Sequence, residues 1–329
     1  MIARVDLSSL DDLKRALPRF AHRPLAHLSY LKPEQVEAYW LDEIALDLAD
    51  ESAVTFLSRG STAVQAFVSY ADSPWDTSVV GRRMAVIKHI AETNEAGSSA
   101  TLDALLEEVI RDATRRGIEC LTCRVQARHL TAIHALERHG FLLMDTLLDF
   151  LFDSTRTPLE SINVPRPLND LRTRLATPAD LAEVLRVTQK MFATYFGRYH
   201  SDPKMPPGTG TKVYEEWVRS AFAGWADWIL LAEVDGRIAG YTLWQNPSGL
   251  ELKHSLDTAH CRLGGIHPAF FEQGLYSALK LDAMRVARNY AKYFDQPTHA
   301  CNYPAHRGTL KLGWKIAGVR HSFHKWLQM

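Results

Sequence analysis

The chain has 329 residues, and its 38 Lys and Arg balance 38 Asp and Glu to a formal charge of zero. That length exceeds the usual size of one domain and favours two. The even charge excludes a general nucleic-acid or anionic-membrane surface, and four cysteines are too few for a disulfide framework. No stretch reaches the ~20 apolar residues of a membrane span. Asp6, Asp11 and Asp12 precede any apolar run of leader length. A soluble, cytoplasmic protein is therefore the expectation.

In chain order, the patterning predicts a helix over 33–50, then strands over 53–58, 63–70 and 84–91. Leu102, Leu105, Leu106, Val109, Ile110 and Ala113 form an i, i+3, i+4 face, which predicts a long helix. A strand over 119–125, a helix over 130–138 and a strand over 143–152 complete the first half. Cys120 and Cys123 fall within one strand at odd spacing, so their thiols face opposite ways and read as structural. His129, His134 and His139 are five apart, which spreads them round a helix, and no metal ligand set is expected.

Pro158, Pro165 and Pro167 mark residues 156–170 as a linker between a first domain over 1–155 and a second over 171–329. The second half repeats the order of the first. It has a strand over 171–175, helices over 178–192 and 214–222, and a hairpin of strands 228–234 and 237–244 about Asp235-Gly236. A strand near 260–266, a strand over 293–301, a helix over 305–312 and a strand over 315–327 follow. His139-Gly140-Phe141 and Leu312-Gly313-Trp314 each close a helix on glycine before a strand, a local echo between the halves.

The most informative segment runs from Gly264-Gly265-Ile266 through Gly274 into a helix bearing Leu275, Leu279, Ala283, Val286 and Tyr290. A strand, a glycine turn and a helix gather unpaired N–H groups and a positive helix end at one point, which suits a pyrophosphate. Two adjacent glycines in a strand point to another backbone or a ligand at close range. In the first half, Glu95-Ala96-Gly97-Ser98 precedes the long helix, but no glycine aligns there as Gly274 does.

With its flanks, this segment resembles the acyl-CoA-binding element of the GNAT superfamily of N-acyltransferases. The resemblance implies an α/β (α+β) fold of tandem GNAT-like domains, each a mixed, mostly antiparallel sheet flanked by helices. The first would be degenerate and the second would hold the cofactor, acetyl-CoA or another acyl-CoA. By this resemblance Leu263, Gly264, Gly265 and Ile266 pair with pantetheine, while Phe271, Gln273, Gly274, Leu275 and Tyr276 form the diphosphate turn. Of the family's Gln/Arg-x-x-Gly-x-Gly/Ala loop only Gly274 is standard, since Phe271 and Tyr276 replace the outer positions. Asn302, at the end of a strand, corresponds to an asparagine beside the cofactor.

The position of the family's acid tyrosine is Thr309, so the resemblance leaves Tyr303, His306 or water as donor to the leaving thiolate. His260 stands where some relatives place a catalytic histidine, and it suits a general base. A histidine hydrogen-bonded near a strand end fits the pattern equally, and His254 and Glu251 are further candidates for the base.

Pro74-Trp75-Asp76, Phe196-Gly197-Arg198-Tyr199-His200 and Ser322-Phe323-His324-Lys325-Trp326 are similar to a narrower branch, dTDP-fucosamine acetyltransferase and related sugar-amine enzymes. That resemblance implies acceptor contacts at Arg198, Tyr199, His200 and Trp217, and an amino-sugar nucleotide as acceptor. An amino acid or natural-product amine, or a non-catalytic acyl-CoA-binding or assembly module, are the alternatives. A small-molecule amine is the expected partner, a homodimer is admitted, and nucleic acid and membrane are not expected.

Overall fold

The computed structural model describes residues 1–60, 63–93, 97–164 and 171–328. In chain order the first elements are β1 (Ile2–Val5), α1 (Leu10–Ala16), α2 (Pro33–Ala49), β2 (Ala53–Arg59), β3 (Val64–Asp72), α3 (Pro74–Val80) and β4 (Met84–Glu92). They continue with α4 (Ser98–Arg115), β5 (Cys120–Gln126), α5 (Leu130–Arg138), β6 (Leu142–Asp153), β7 (Arg172–Leu175), α6 (Leu181–Phe192), α7 (Arg198–Ser201) and α8 (Thr209–Ser220). The rest are β8 (Trp228–Val234), β9 (Arg237–Gln245), α9 (Gly249–Lys253), β10 (Thr258–Ile266), α10 (Leu275–Ala287), β11 (Tyr293–His299), α11 (Tyr303–Lys311) and β12 (Lys315–Trp326). No helix among the described residues is long and apolar enough to cross a membrane.

The chain forms two compact units. The first comprises Met1–Thr146, Asp202–Lys204 and the chain from Val319, and the second Leu147–Ser201 and Met205–Gly318. Strands of the first unit run β1-β2-β3-β4-β5-β12, and only β4 and β5 are parallel neighbours. Strands of the second run β7-β8-β9-β10-β11-β6, with only β10 and β11 parallel. Each is the mixed, mostly antiparallel sheet expected from the sequence.

The closing strands are exchanged between the halves of the chain. β12 pairs with β5 in the first unit, and residues 147–153 of β6 pair with β11 in the second. The units therefore do not follow boundaries drawn at 155 and 171, because alternation identifies a strand but not its partner. Of the linker, positions 165–170 lie outside the described residues, as do Glu95 and Ala96. Leu159 is no linker residue in its packing, since it is buried in the core of the second unit.

The cores follow the periodicities. Leu102, Leu105, Leu106, Val109 and Ala113 of α4 are all buried against the first sheet. On α10 the expected face positions Leu275, Leu279 and Ala283 are buried among several others and Val286 is half-buried, whereas Tyr290 lies beyond the helix end and is exposed. All four cysteines are free thiols, with Cys120 and Cys123 buried in β5. The hairpin turn between β8 and β9 carries positive φ at both Asp235 (50°) and Gly236 (72°), the geometry of a two-residue I′ turn.

Candidate active site

The parallel pairing of β10 with β11 stops at His260 opposite Asp295. Immediately beyond, a β-bulge between Cys261 and Leu263 shifts the register, and Leu263, Gly264, Gly265 and Ile266 pair with β9 alone. A bulge leaves an unpaired residue and re-aims the strand. The result is a gap between β10 and β11, with the backbone of β10 along one side.

Both glycines in this strand answer to the protein's own packing. A Cβ on Gly264 would meet Thr242 Cγ2 at 2.8 Å and Tyr241 O at 3.0 Å, and one on Gly265 would meet Met191 Cε at 2.5 Å. Across the ladder, a Cβ on Gly240 would stand 2.5 Å from the carbonyl oxygen of Gly265. Gly240→Ala must therefore move backbone, and it is expected to destabilise by about 2 kcal/mol or more in urea unfolding. An unchanged midpoint would refute that close contact.

β10 leads through a loop to Gly274, which holds φ 72° as the N-cap of α10. No side chain caps this helix, so the N–H groups of its first turn lack the partner that capping residues usually supply. Glu272, two residues earlier, also has positive φ (64°), which sharpens the turn. Ile266 and Leu275 point into the core, Gln273 is half-buried and Phe271 is exposed. What the turn offers outward is backbone N–H and the positive end of a helix dipole.

At the mouth of the gap, His260 is clamped between two carboxylates. Nδ1 lies 2.7 Å from Asp295 Oδ1 and Nε2 2.7 Å from Glu251 Oε1. Burial alone would lower the imidazole pKa, but the Asp295 charge and the hydrogen bonds of both carboxylates raise it to about 9. Both ring nitrogens are thus occupied, and at neutral pH the group is an imidazolium rather than a free base. The sequence offered Glu251 as an alternative base and did not show Asp295.

On the opposite side of the gap, Asn302 is the N-cap of α11 and its side chain accepts from Ala305 N at 3.4 Å. Tyr303 is 62% exposed on the first turn. Thr309 is fully buried beside the phenol of Tyr276. That phenol, which reaches across from α10, accepts from Gln296 Nε2 at 3.1 Å. Its ring lies where a Cβ on Gly308 would approach to 2.7 Å, so a glycine inside α11 makes room for it. The volume left beside α11 is filled by a tyrosine from the neighbouring helix. His306, the other candidate acid, bonds the carbonyl of His299 through Nε2 at 3.0 Å, and burial lowers its pKa.

No protein-family model matches the sequence, and no curated protein matches it either. Solved structures do. The chain is similar over its whole length to a GCN5-related N-acetyltransferase from Sphaerobacter thermophilus, at a TM-score of 0.64 and 15% identity, covering 96% of that chain. A tandem GNAT protein from the clavulanic acid biosynthesis pathway is similar at 0.59 and 12%, covering 100% of this chain and 99% of that one. A GCN5-related glucosamine N-acetyltransferase region of a fungal multi-domain GH3 beta-N-acetylglucosaminidase is similar at 0.62 and 12%, covering 99% of this chain and 38% of that one. The fold is the tandem GNAT fold.

In GNAT terms the second unit has an open gap and the first does not. β4 and β5 also part after Ile87 opposite Cys123, and α4 also starts from a glycine in the left-handed region, Gly97 at φ 90°. A positive-φ glycine thus opens this helix too, and positions 94–96 ahead of it lie outside the described residues. Its gap, however, is bridged by the chain itself. Ala21 N donates to Glu92 O at 3.0 Å, Phe20 pairs with Thr93, and Gln126 Nε2 donates to Arg23 O at 2.6 Å.

The residues expected to touch an acceptor divide into two sets. Arg198 lies over the Tyr199 ring, 4.4 Å from its centroid, and bonds its hydroxyl, so both are engaged within the unit. His200 is packed against Tyr195 and Tyr214, and neither ring nitrogen has a hydrogen-bond partner among the described residues. Burial lowers its pKa. Trp217 remains half-exposed, with its ring in tilted contact with those of Tyr214 and Trp225. Phe196, absent from the expected set, is 59% exposed and edges against His299 at the end of β11.

Proposed function

We propose that the second unit is an acyl-CoA-dependent N-acyltransferase that moves an acyl group, acetyl in the simplest case, from coenzyme A to a primary amine. The observation that carries this reading is the gap beyond His260 and Asp295, with a bulge at its mouth and an uncapped helix N-terminus at its far end. In it, pantetheine pairs with the free side of β10, the diphosphate meets the N–H groups after Gly274, and Asn302 borders the arm. A bulge N–H at Arg262 polarises the thioester carbonyl. The amine nitrogen attacks that carbon, the C–S bond breaks, and coenzyme A leaves as the thiolate.

His260 enters this reading as a cation that orients Glu251. The amine proton passes to Glu251, and Tyr303 or water protonates the thiolate. The exposed rings of Phe196 and Trp225, with half-exposed Trp217 beside Trp225, favour a ring-bearing acceptor, whose flat faces stack on aromatic side chains. Amino sugars and their nucleotides are the first acceptors to try, in keeping with the glucosamine N-acetyltransferase region among the similar structures.

Calorimetry with acetyl-CoA tests the reading. Gly274→Glu places an anion at the diphosphate end, worth about 1 kcal/mol, so affinity should fall about fivefold, while the side chain at positive φ costs folding stability rather than affinity. No binding to the unaltered protein would remove the proposal. Binding without turnover of any amine would leave an acyl-CoA-binding module in its place.

A further inference from the structure

We propose that the first unit binds a divalent transition-metal ion, with the preferences of zinc, on His22, Glu92 and His129. The ligating atoms of these three side chains all lie within 4.8 Å of one another. His129 Nε2 is already 2.6 Å from Glu92 Oε2, and the rings of His22 and His129 stack at 4.1 Å. A tetrahedral ion with bonds of about 2.0–2.2 Å holds its donors about 3.3 Å apart.

The site is built on backbone rather than on mobile side chains. His22 follows Ala21, whose N–H donates to the carbonyl of Glu92 at 3.0 Å. His129 is fixed as the N-cap of α5, and its own N–H donates to Gln126 O at 2.9 Å. Glu92 and His129 are buried, at 2% and 3% exposure, while His22 is half-exposed and is the most solvent-accessible of the three. Two imidazoles and one carboxylate form a set that leaves a coordination position open.

The positions carry a second argument. His129 has φ −83° and ψ 63° before α5, and Asn302 has the same angles before α11. Glu92 ends β4 as Ile266 ends β10. The three ligands thus stand in the first unit where the second unit has its gap, and there residues 20–23 have taken the place a cofactor arm would occupy. The histidines at 129, 134 and 139 gave no such signal, because the partners of His129 come from distant parts of the chain.

The rival account is a purely structural lock, in which Glu92 and His129 bond each other and His22 merely packs. His22→Ala separates the two, since it spares the Glu92–His129 bond. The intact protein, stripped with chelator, would be titrated with Zn²⁺ by calorimetry, and melting followed with and without Zn²⁺. We expect one ion per chain at micromolar affinity or tighter, a raised Tm, and at least a tenfold weaker affinity in both His22→Ala and Glu92→Gln. Replacement by Co²⁺ should give the visible absorption of a low-coordinate ion. If the intact protein and His22→Ala bind Zn²⁺ equally, or neither binds, the site does not exist.

Discussion

Replacing Lys280 by methionine should stabilise the protein at pH 7 by about 2 kcal/mol, an unusual sign for a core substitution. Lys280 lies on α10, fully buried, and its ammonium has no hydrogen-bond partner among the described residues. It sits 4.0 Å from the centre of the Trp314 ring, a contact that offsets only part of the burial. Burial pushes its pKa from 10.5 down to about 8, against the opposing pull of Cys261 and Asp295. Below pH 8 the lysine is protonated both folded and unfolded, and the full penalty of a buried cation is present. Between pH 8 and 10.5 the folded protein releases the proton while the unfolded chain keeps it, so this site's contribution to stability rises with pH. The Lys280→Met advantage should shrink over that interval. Urea unfolding at pH 7 and pH 10 measures it, and a variant less stable at both pH values would show that the ammonium is satisfied in solution.

His260→Ala has the opposite linkage and a larger cost. It leaves the Glu251 and Asp295 carboxylates without the cation between them, a loss of about 3–5 kcal/mol for a buried ion pair. The folded pKa near 9 lies above the unfolded value of 6.5, so the stabilisation is complete below pH 6.5 and is lost as pH rises through 9. The gap in stability between wild type and variant should therefore be widest near pH 6 and narrow by pH 9 to 10. Turnover should drop about a hundredfold while acetyl-CoA affinity changes little, because the cofactor contacts lie farther along β10 and at α10. Equal stability at pH 6 would mean that the clamp does not form.

Much of this architecture is legible in the sequence because its elements are long and strongly periodic. β8 and α5 begin and end where the pattern places them, and the strand, glycine turn and helix of β10 and α10 stand out together. Helices α3, α7 and α9 did not, since four to seven residues carry too little periodicity to read. The partners of His260 were only half visible. Glu251 is nine residues away, but Asp295 is thirty-five away and is brought in by a parallel pairing. The direction of Tyr276 depends on the glycine at 308 in another helix, and sequence spacing says nothing of that contact. The resemblance to the sugar-amine branch places Arg198, Tyr199 and His200 at an acceptor, and spacing alone does not show how they pack. In the fold Tyr199 is buried and His200 half-buried.

The exchanged strands also set an order on synthesis. Every residue of the second unit has been made by Gly318, whereas the first unit still lacks β12 from Val319 onward, although most of it was translated first. The earlier-made sheet must wait with β5 unpaired along one edge while the later-made one closes. A gene encoding only the first 155 codons would yield a sheet without its last strand, and one starting at codon 171 would lack the strand that flanks β11.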